Sequence, residues 1–146
     1  MNKERDIAMK REHEANYGPN KDSESASLGW VLLNEKHIRY DIFVQKLWKK
    51  ESPELNFAHA AMGITGEAGE LCDAIKKHII YGCELDINNV IEELGDLRFY
   101  MQALMNIVGI SEQQILQHNA LKLAQRYEEL QYSNEAAIAR KDKAGE

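Results

Sequence analysis

Val90-Ile91-Glu92-Glu93-Leu94-Gly95-Asp96-Leu97 decides both the architecture and where to look for chemistry. Its apolar residues continue through Met101, Leu104 and Val108 at intervals of three and four, the repeat of one face of an α-helix. Asp86 stands in front as an N-cap and Gly109 behind as a stop. Glu93 and Asp96 are three apart, so they share a helix face about a turn from each other. Neither has a Lys or Arg three or four residues away.

Upstream the same arrangement recurs. Ser52-Pro53-Glu54 marks a helix start, with Ser as N-cap and Pro at the first helical position. The helix is expected to run to about Tyr81, with Gly82 as its stop and a stripe of Ala60, Ile64, Leu71, Ile75 and His78. Within it Gly66-Glu67-Ala68-Gly69-Glu70-Leu71 carries a second acid pair, again without cations at helical spacing. Gly63, Gly66 and Gly69 each cost a helix about 1 kcal/mol relative to Ala, which predicts close approach by a neighbouring helix or a ligand. Tyr40, Phe43, Val44, Leu47 and Trp48 form an earlier stripe. Ser111-Glu112 opens a last helix through Ile115, Leu116, Leu121, Leu123 and Leu130. With strand-like segments almost absent, the fold class is all-α, a four-helix-bundle-like domain with short loops.

The domain spans residues 38–140. Residues 1–37 read as an N-terminal extension or arm: a helix before Asn16, turn and loop from Tyr17-Gly18-Pro19-Asn20, and a short apolar patch, Trp30-Val31-Leu32-Leu33, that docks on the body. Residues 141–146 are a polar tail expected to fray.

Composition narrows the function. At 146 residues, 44% apolar and 29% charged, the chain is a single globular domain. A net charge of −6 opposes nonspecific binding to nucleic acid or to an acidic membrane surface. No apolar run reaches the roughly 18–20 residues of a membrane span, and Met1-Asn2-Lys3-Glu4-Arg5 does not lead into a signal-peptide core. Cys72 and Cys83 fit no metal or redox spacing and are expected as free thiols. The expected location is the cytoplasm.

A single E-x-x-E on a helix is ordinary surface decoration. Two such pairs are another matter when both lie at stripe edges, beside glycines and without cations. Each pair is a like-charge juxtaposition costing about 0.2–0.5 kcal/mol in an isolated helix. If the two helices pack antiparallel, all four acids converge. Four oxygen donors suit Mg²⁺ or Mn²⁺. Zinc recruits nitrogen or sulfur. Di-iron bundles use Glu-x-x-His, and none of the five histidines has a Glu three residues before it. Glu92, four residues from Asp96, reads equally well as a second-layer acid or as a solvated one. Tyr100 sits one turn past Asp96 on the same face, where a ring can border a ligand of the acid cluster. Lys77 lies near the Glu70 face, with Lys76 beside it, and either fits solvent as well as phosphate.

Glu67-Ala68-Gly69-Glu70, a 22-residue spacer and Glu93-Leu94-Gly95-Asp96 resemble the signature of the MazG-like, all-α nucleoside triphosphate pyrophosphohydrolases. The blocks Leu47-Trp48-Lys49, Ser52-Pro53-Glu54 and His59-Ala60-Ala61-Met62-Gly63 resemble the entry segment of small, often phage-borne members. Asn119, Lys122-Leu123, Arg126-Tyr127 and Ser133 resemble their closing segment.

The resemblance implies conversion of a (d)NTP to (d)NMP and pyrophosphate in nucleotide-pool control, with a purine deoxynucleotide such as dGTP as a candidate. It implies Glu67, Glu70, Glu93 and Asp96 as metal ligands, with Glu67 or Glu70 also catalytic as the base for water. Asn119, Lys122 and Arg126 are implied as phosphate donors, Tyr127 at sugar or phosphate, and Trp48 and His59 near the base. Relatives are dimers or tetramers with sites lined by more than one subunit, so a homotetramer (a dimer of dimers) or a homodimer is expected. The alternatives are a non-catalytic helical Mg-nucleotide-binding or regulatory protein, or a phosphoribosyl-ATP pyrophosphohydrolase-like enzyme.

Overall fold

The computed structural model describes residues 29–143 and divides into two units, Met1–Arg39 and Tyr40–Glu146. The described part of the first is an antiparallel hairpin of β1 (Trp30–Leu33) and β2 (Lys36–Arg39), with Val31 opposite Ile38 and Leu33 opposite Lys36. Its two-residue turn puts Asn34 and Glu35 at φ 49° and 64°, the left-handed geometry that matches strand twist. The patch Trp30–Leu33 is thus a strand, not an irregular arm. The helix expected before Asn16 lies outside the described residues.

The second unit is helical: α1 (Tyr40–Leu47), α2 (Pro53–Ile79), α3 (Ile87–Val108), α4 (Glu112–Arg126), a 3-10 turn Glu128–Leu130, α5 (Asn134–Ala139) and a 3-10 turn Lys141–Lys143. The ends follow local chemistry. Ser52 Oγ accepts from the Leu55 N–H, and Asp86 Oδ1 from the Asn89 N–H at 3.1 Å. Gly109, at φ 75°, turns the chain out of α3. Ser111 and Gln114 form a reciprocal capping box at α4. Among the described residues no helix is long and apolar enough to cross a membrane.

α3 is the hub, with α2 along one side and α1 against another. The buried apolar residues are Val44, Ala60, Ala74, Ala103 and Met105, small for the most part, so these helices approach closely. A polar chain crosses the α1–α3 contact: Arg98 donates to Gln102 Oε1 (3.1 Å), Gln102 to Asn106 Oδ1 (2.9 Å), and Asn106 to the Asp41 carbonyl (2.9 Å).

Three features differ from the periodicity reading. The stripe of α3 does not all face inward: Ile91, Leu94, Met101 and Val108 are exposed, while Glu93, Gln102, Ala103 and Met105 are buried. Gln102 is buried as a link of the polar chain from Arg98 to Asn106, so part of the α3 interior is polar rather than apolar. The fourth helix ends at Arg126 rather than near Leu130: Tyr127 is extended at φ −113°, and Glu129 and Leu130 beyond it take φ 54° and 55°, which an α-helix does not allow. α4 has no buried residue and packs chiefly on the turns after it, while Arg98 Nη2 to Glu112 Oε1 (2.8 Å) ties its first turn to α3. Finally, Lys141–Lys143, expected to fray, form a 3-10 turn whose Asp142 holds Arg126.

Candidate metal centre

Glu67 on α2 meets Glu93 and Asp96 on α3, each offering a carboxylate oxygen, with all three oxygens within 4.8 Å of one another. Glu93 is only 7% exposed, and its Oε1 accepts from Asn89 Nδ2 at 2.8 Å. Among the described residues none of the three enters an ion pair. Desolvation, and then the charges of Glu70, Asp96 and Glu93, hold the Glu67 carboxyl above its ordinary pKa.

Three converging carboxylates without a cation are electrostatically incomplete. A divalent cation among them would add an attraction to each carboxylate that outweighs their mutual repulsion. The donors are all oxygen and come from two helices, one of them anchored by an amide. That set fits a hard ion that keeps several waters. The fourth acid of the sequence motif, Glu70, stands one turn along α2, is exposed and lies outside the triad, as does exposed Glu92. Asn89 was not singled out from the sequence; its signal is the four-residue step to Glu93.

Beside the acids lies a cluster of four rings. Trp48 stacks on His59 at 4.6 Å and 27°, and Tyr100 meets Trp48, His59 and Phe99 edge-on at 6.1, 5.7 and 5.5 Å. Trp48 Nε1 donates to Asn56 Oδ1 (3.1 Å), and Asn56 Nδ2 to the Glu51 carbonyl (3.0 Å). Trp48, His59 and Tyr100 are therefore brought together from three parts of the chain. Phe99 and Asn56 complete the cluster and were not anticipated. Asn56 lies three residues before His59, a helical step that could have flagged it.

The cations are placed differently. Lys77 pairs with Asp73 at 2.9 Å and Lys76 with the same carboxylate at 2.5 Å, so both are engaged one turn beyond Glu70. The Asp73 hydrogen bond raises the Lys77 pKa. Asn119 and Lys122 are exposed on α4, lining a pocket of about 440 Å³ with Ile110, Gln114, Ile115 and His118. Arg126, expected to be free for phosphate, is held by Asp142 through two bonds of 2.7 Å, Nε to Oδ1 and Nη2 to Oδ2. The Asp142 side chain is fully buried, and hydrogen bonding to the guanidinium holds its carboxyl at about 2, while the same hydrogen bonding pushes the Arg126 pKa up. Asp142 lies 16 residues further on, outside any helical spacing that would have flagged it. Tyr127 packs against Tyr132, ring centroids 5.5 Å apart. Among the described residues no hydrogen bond or ion pair joins Asn119, Lys122, Arg126 or Tyr127 to the acid triad.

The family model of the MazG nucleotide pyrophosphohydrolase domain matches residues 56–131, just over half of the chain, and takes in both acid pairs. No curated protein and no solved structure matches the chain significantly.

Proposed function

The chain belongs to the MazG nucleotide pyrophosphohydrolase family, and on that premise we propose that it hydrolyses a (deoxy)nucleoside triphosphate to the monophosphate and pyrophosphate. The observation that carries the reading is the convergence of Glu67, Glu93 and Asp96 without a counter-charge. These three would hold Mg²⁺ or Mn²⁺, and Asn89 fixes the Glu93 carboxylate in its bonding orientation. The bound ion supplies the positive charge that an all-acid site needs to accept a polyphosphate and to neutralise the departing pyrophosphate. Glu70, exposed and one turn from Glu67, is the carboxylate left to take the proton of the attacking water. Tyr100, one turn past Asp96 and braced by three rings, borders the nucleoside.

The substrate we favour is a purine deoxynucleotide such as dGTP, and the setting is control of a cytoplasmic nucleotide pool. Incubation with a panel of NTPs and dNTPs, with Mg²⁺ or Mn²⁺ and product separation by anion exchange, tests both points. Monophosphate and pyrophosphate, abolished by EDTA, are expected. Monophosphate accompanied by two equivalents of phosphate, or binding without turnover, would contradict the assignment.

The working form we propose is a homodimer or a dimer of dimers. Ile91, Leu94, Met101 and Val108 are 41–49% exposed on α3, and a 15-residue α4 with no buried residue is too short to hold its shape unaided. Assembly would also let Asn119 and Lys122 serve a neighbour's site. Light scattering should give a multiple of the 16.7 kDa chain mass, and a monomer at working concentration would refute it.

A further inference from the structure

The three glycines of α2 are not equivalent. A β-carbon added at Gly66 or Gly69 would meet nothing within 4 Å, whereas one at Gly63 would overlap Cγ, Cδ1 and Cε1 of the Tyr100 ring. Tyr100 has little room to yield. Trp48, His59 and Phe99 surround it with centroids at 6.1, 5.7 and 5.5 Å, and Trp48 is itself held by Asn56. Any side chain at position 63 would therefore have to be accommodated by separating or rotating α2 and α3.

The contact sits next to the acids in both helices. Gly63 is four residues before Glu67, and Tyr100 is four residues after Asp96. A shift of the helices at this point is carried one turn along to three oxygens that now lie within 4.8 Å of one another. Packed interiors pass on such displacements rather than absorbing them. From this we infer that Gly63 is a positioning residue for the cation site: its missing side chain lets the Tyr100 ring set the α2–α3 spacing at which Glu67 meets Glu93 and Asp96. The inference rests on the triad binding a divalent cation. It adds which residue pair fixes the geometry of that site.

The test is Mn²⁺ binding, followed by calorimetry and by the electron paramagnetic resonance of the free ion, with no nucleotide present. Gly63→Ala should weaken Mn²⁺ binding about tenfold to a hundredfold, the range for losing a group that orients metal ligands, with helical circular dichroism retained. Gly66→Ala, the same change in open space one turn-edge away, should bind as wild type. Gly63→Ala combined with Tyr100→Leu removes the overlap and should recover at least half of the lost binding free energy. A merely destabilising substitution would not be rescued this way, because Tyr100→Leu also deletes ring contacts. If Gly63→Ala binds Mn²⁺ as wild type, or the double variant folds without regaining affinity, the inference is wrong. Should Gly63→Ala not fold, the double variant decides alone by the same criterion. Absence of Mn²⁺ binding in the wild type is a separate outcome that overturns the cation reading itself.

Discussion

The α2–α3 pair and the segment from α4 to the C-terminus each carry residues that the sequence marked for nucleotide chemistry, yet the fold treats them oppositely. In the pair, marked residues from different helices meet: Glu67 with Glu93 and Asp96, and His59 with Tyr100. In the C-terminal segment they are dispersed. Asn119 and Lys122 line their own pocket, Arg126 is taken by Asp142, and Tyr127 packs on Tyr132. The difference is one of completeness. The acid triad of the pair has its shape but, among the described residues, no ion-pair partner, whereas in the segment Arg126 is already paired with Asp142.

The largest effect that could break this comparison is loss of a triad acid. Asp96→Asn or Glu93→Gln should lower hydrolysis by orders of magnitude while thermal stability holds or rises, because each removes like-charge repulsion. Full activity in Asp96→Asn would remove the triad from the chemistry. Next in size is Asn89→Ala, which frees the buried Glu93 carboxylate to rotate. Cation affinity should drop about 10–100-fold, read by calorimetry, with a smaller change in stability.

Legibility divides along the same line. Ser52, Asp86, Gly109 and Ser111 mark helix ends through bonds to neighbours a few residues away, so the limits of α2 and α3 could be read directly. Two acids three apart on a helix share a face whatever the tertiary packing. What was not legible depends on partners far along the chain. Arg98, Gln102 and Asn106 link α3 to the Asp41 carbonyl through hydrogen bonds, and Ile91, Leu94, Met101 and Val108 of its apolar stripe are exposed. Asp142 captures Arg126 from 16 residues away. The hairpin turn Asn34–Glu35 lacks the Gly that normally announces left-handed geometry, and so Trp30–Leu33 did not read as a strand. Glu70 shares the face of Glu67 three residues on, and its charge acts on the Glu67 carboxyl although it is not one of the three acids whose oxygens converge.

A smaller effect sharpens the contrast from the C-terminal side. Asp142→Ala should lower the melting temperature, expose Arg126 and leave Mn²⁺ affinity unchanged, since none of its contacts reaches the triad. The pH dependence has a definite sign. The carboxyl is held at about 2, below its ordinary 3.8, so the pair's stabilisation is fully present above about pH 4–5 and is lost as pH falls through 2. Melting curves of wild type and Asp142→Ala should therefore differ at pH 6 and converge toward pH 2. A constant difference across that range would show that the ion pair is not what holds the turn.

The most direct test of the account is a calorimetric titration of the nucleotide-free protein with Mg²⁺ and Mn²⁺, run beside Glu67→Gln, Glu93→Gln and Asp96→Asn. Saturable binding in the wild type, lost or severely weakened in each of the three variants, is the predicted result. Binding that survives all three substitutions, or that is absent from the wild type, would contradict the assignment of these carboxylates as the cation site.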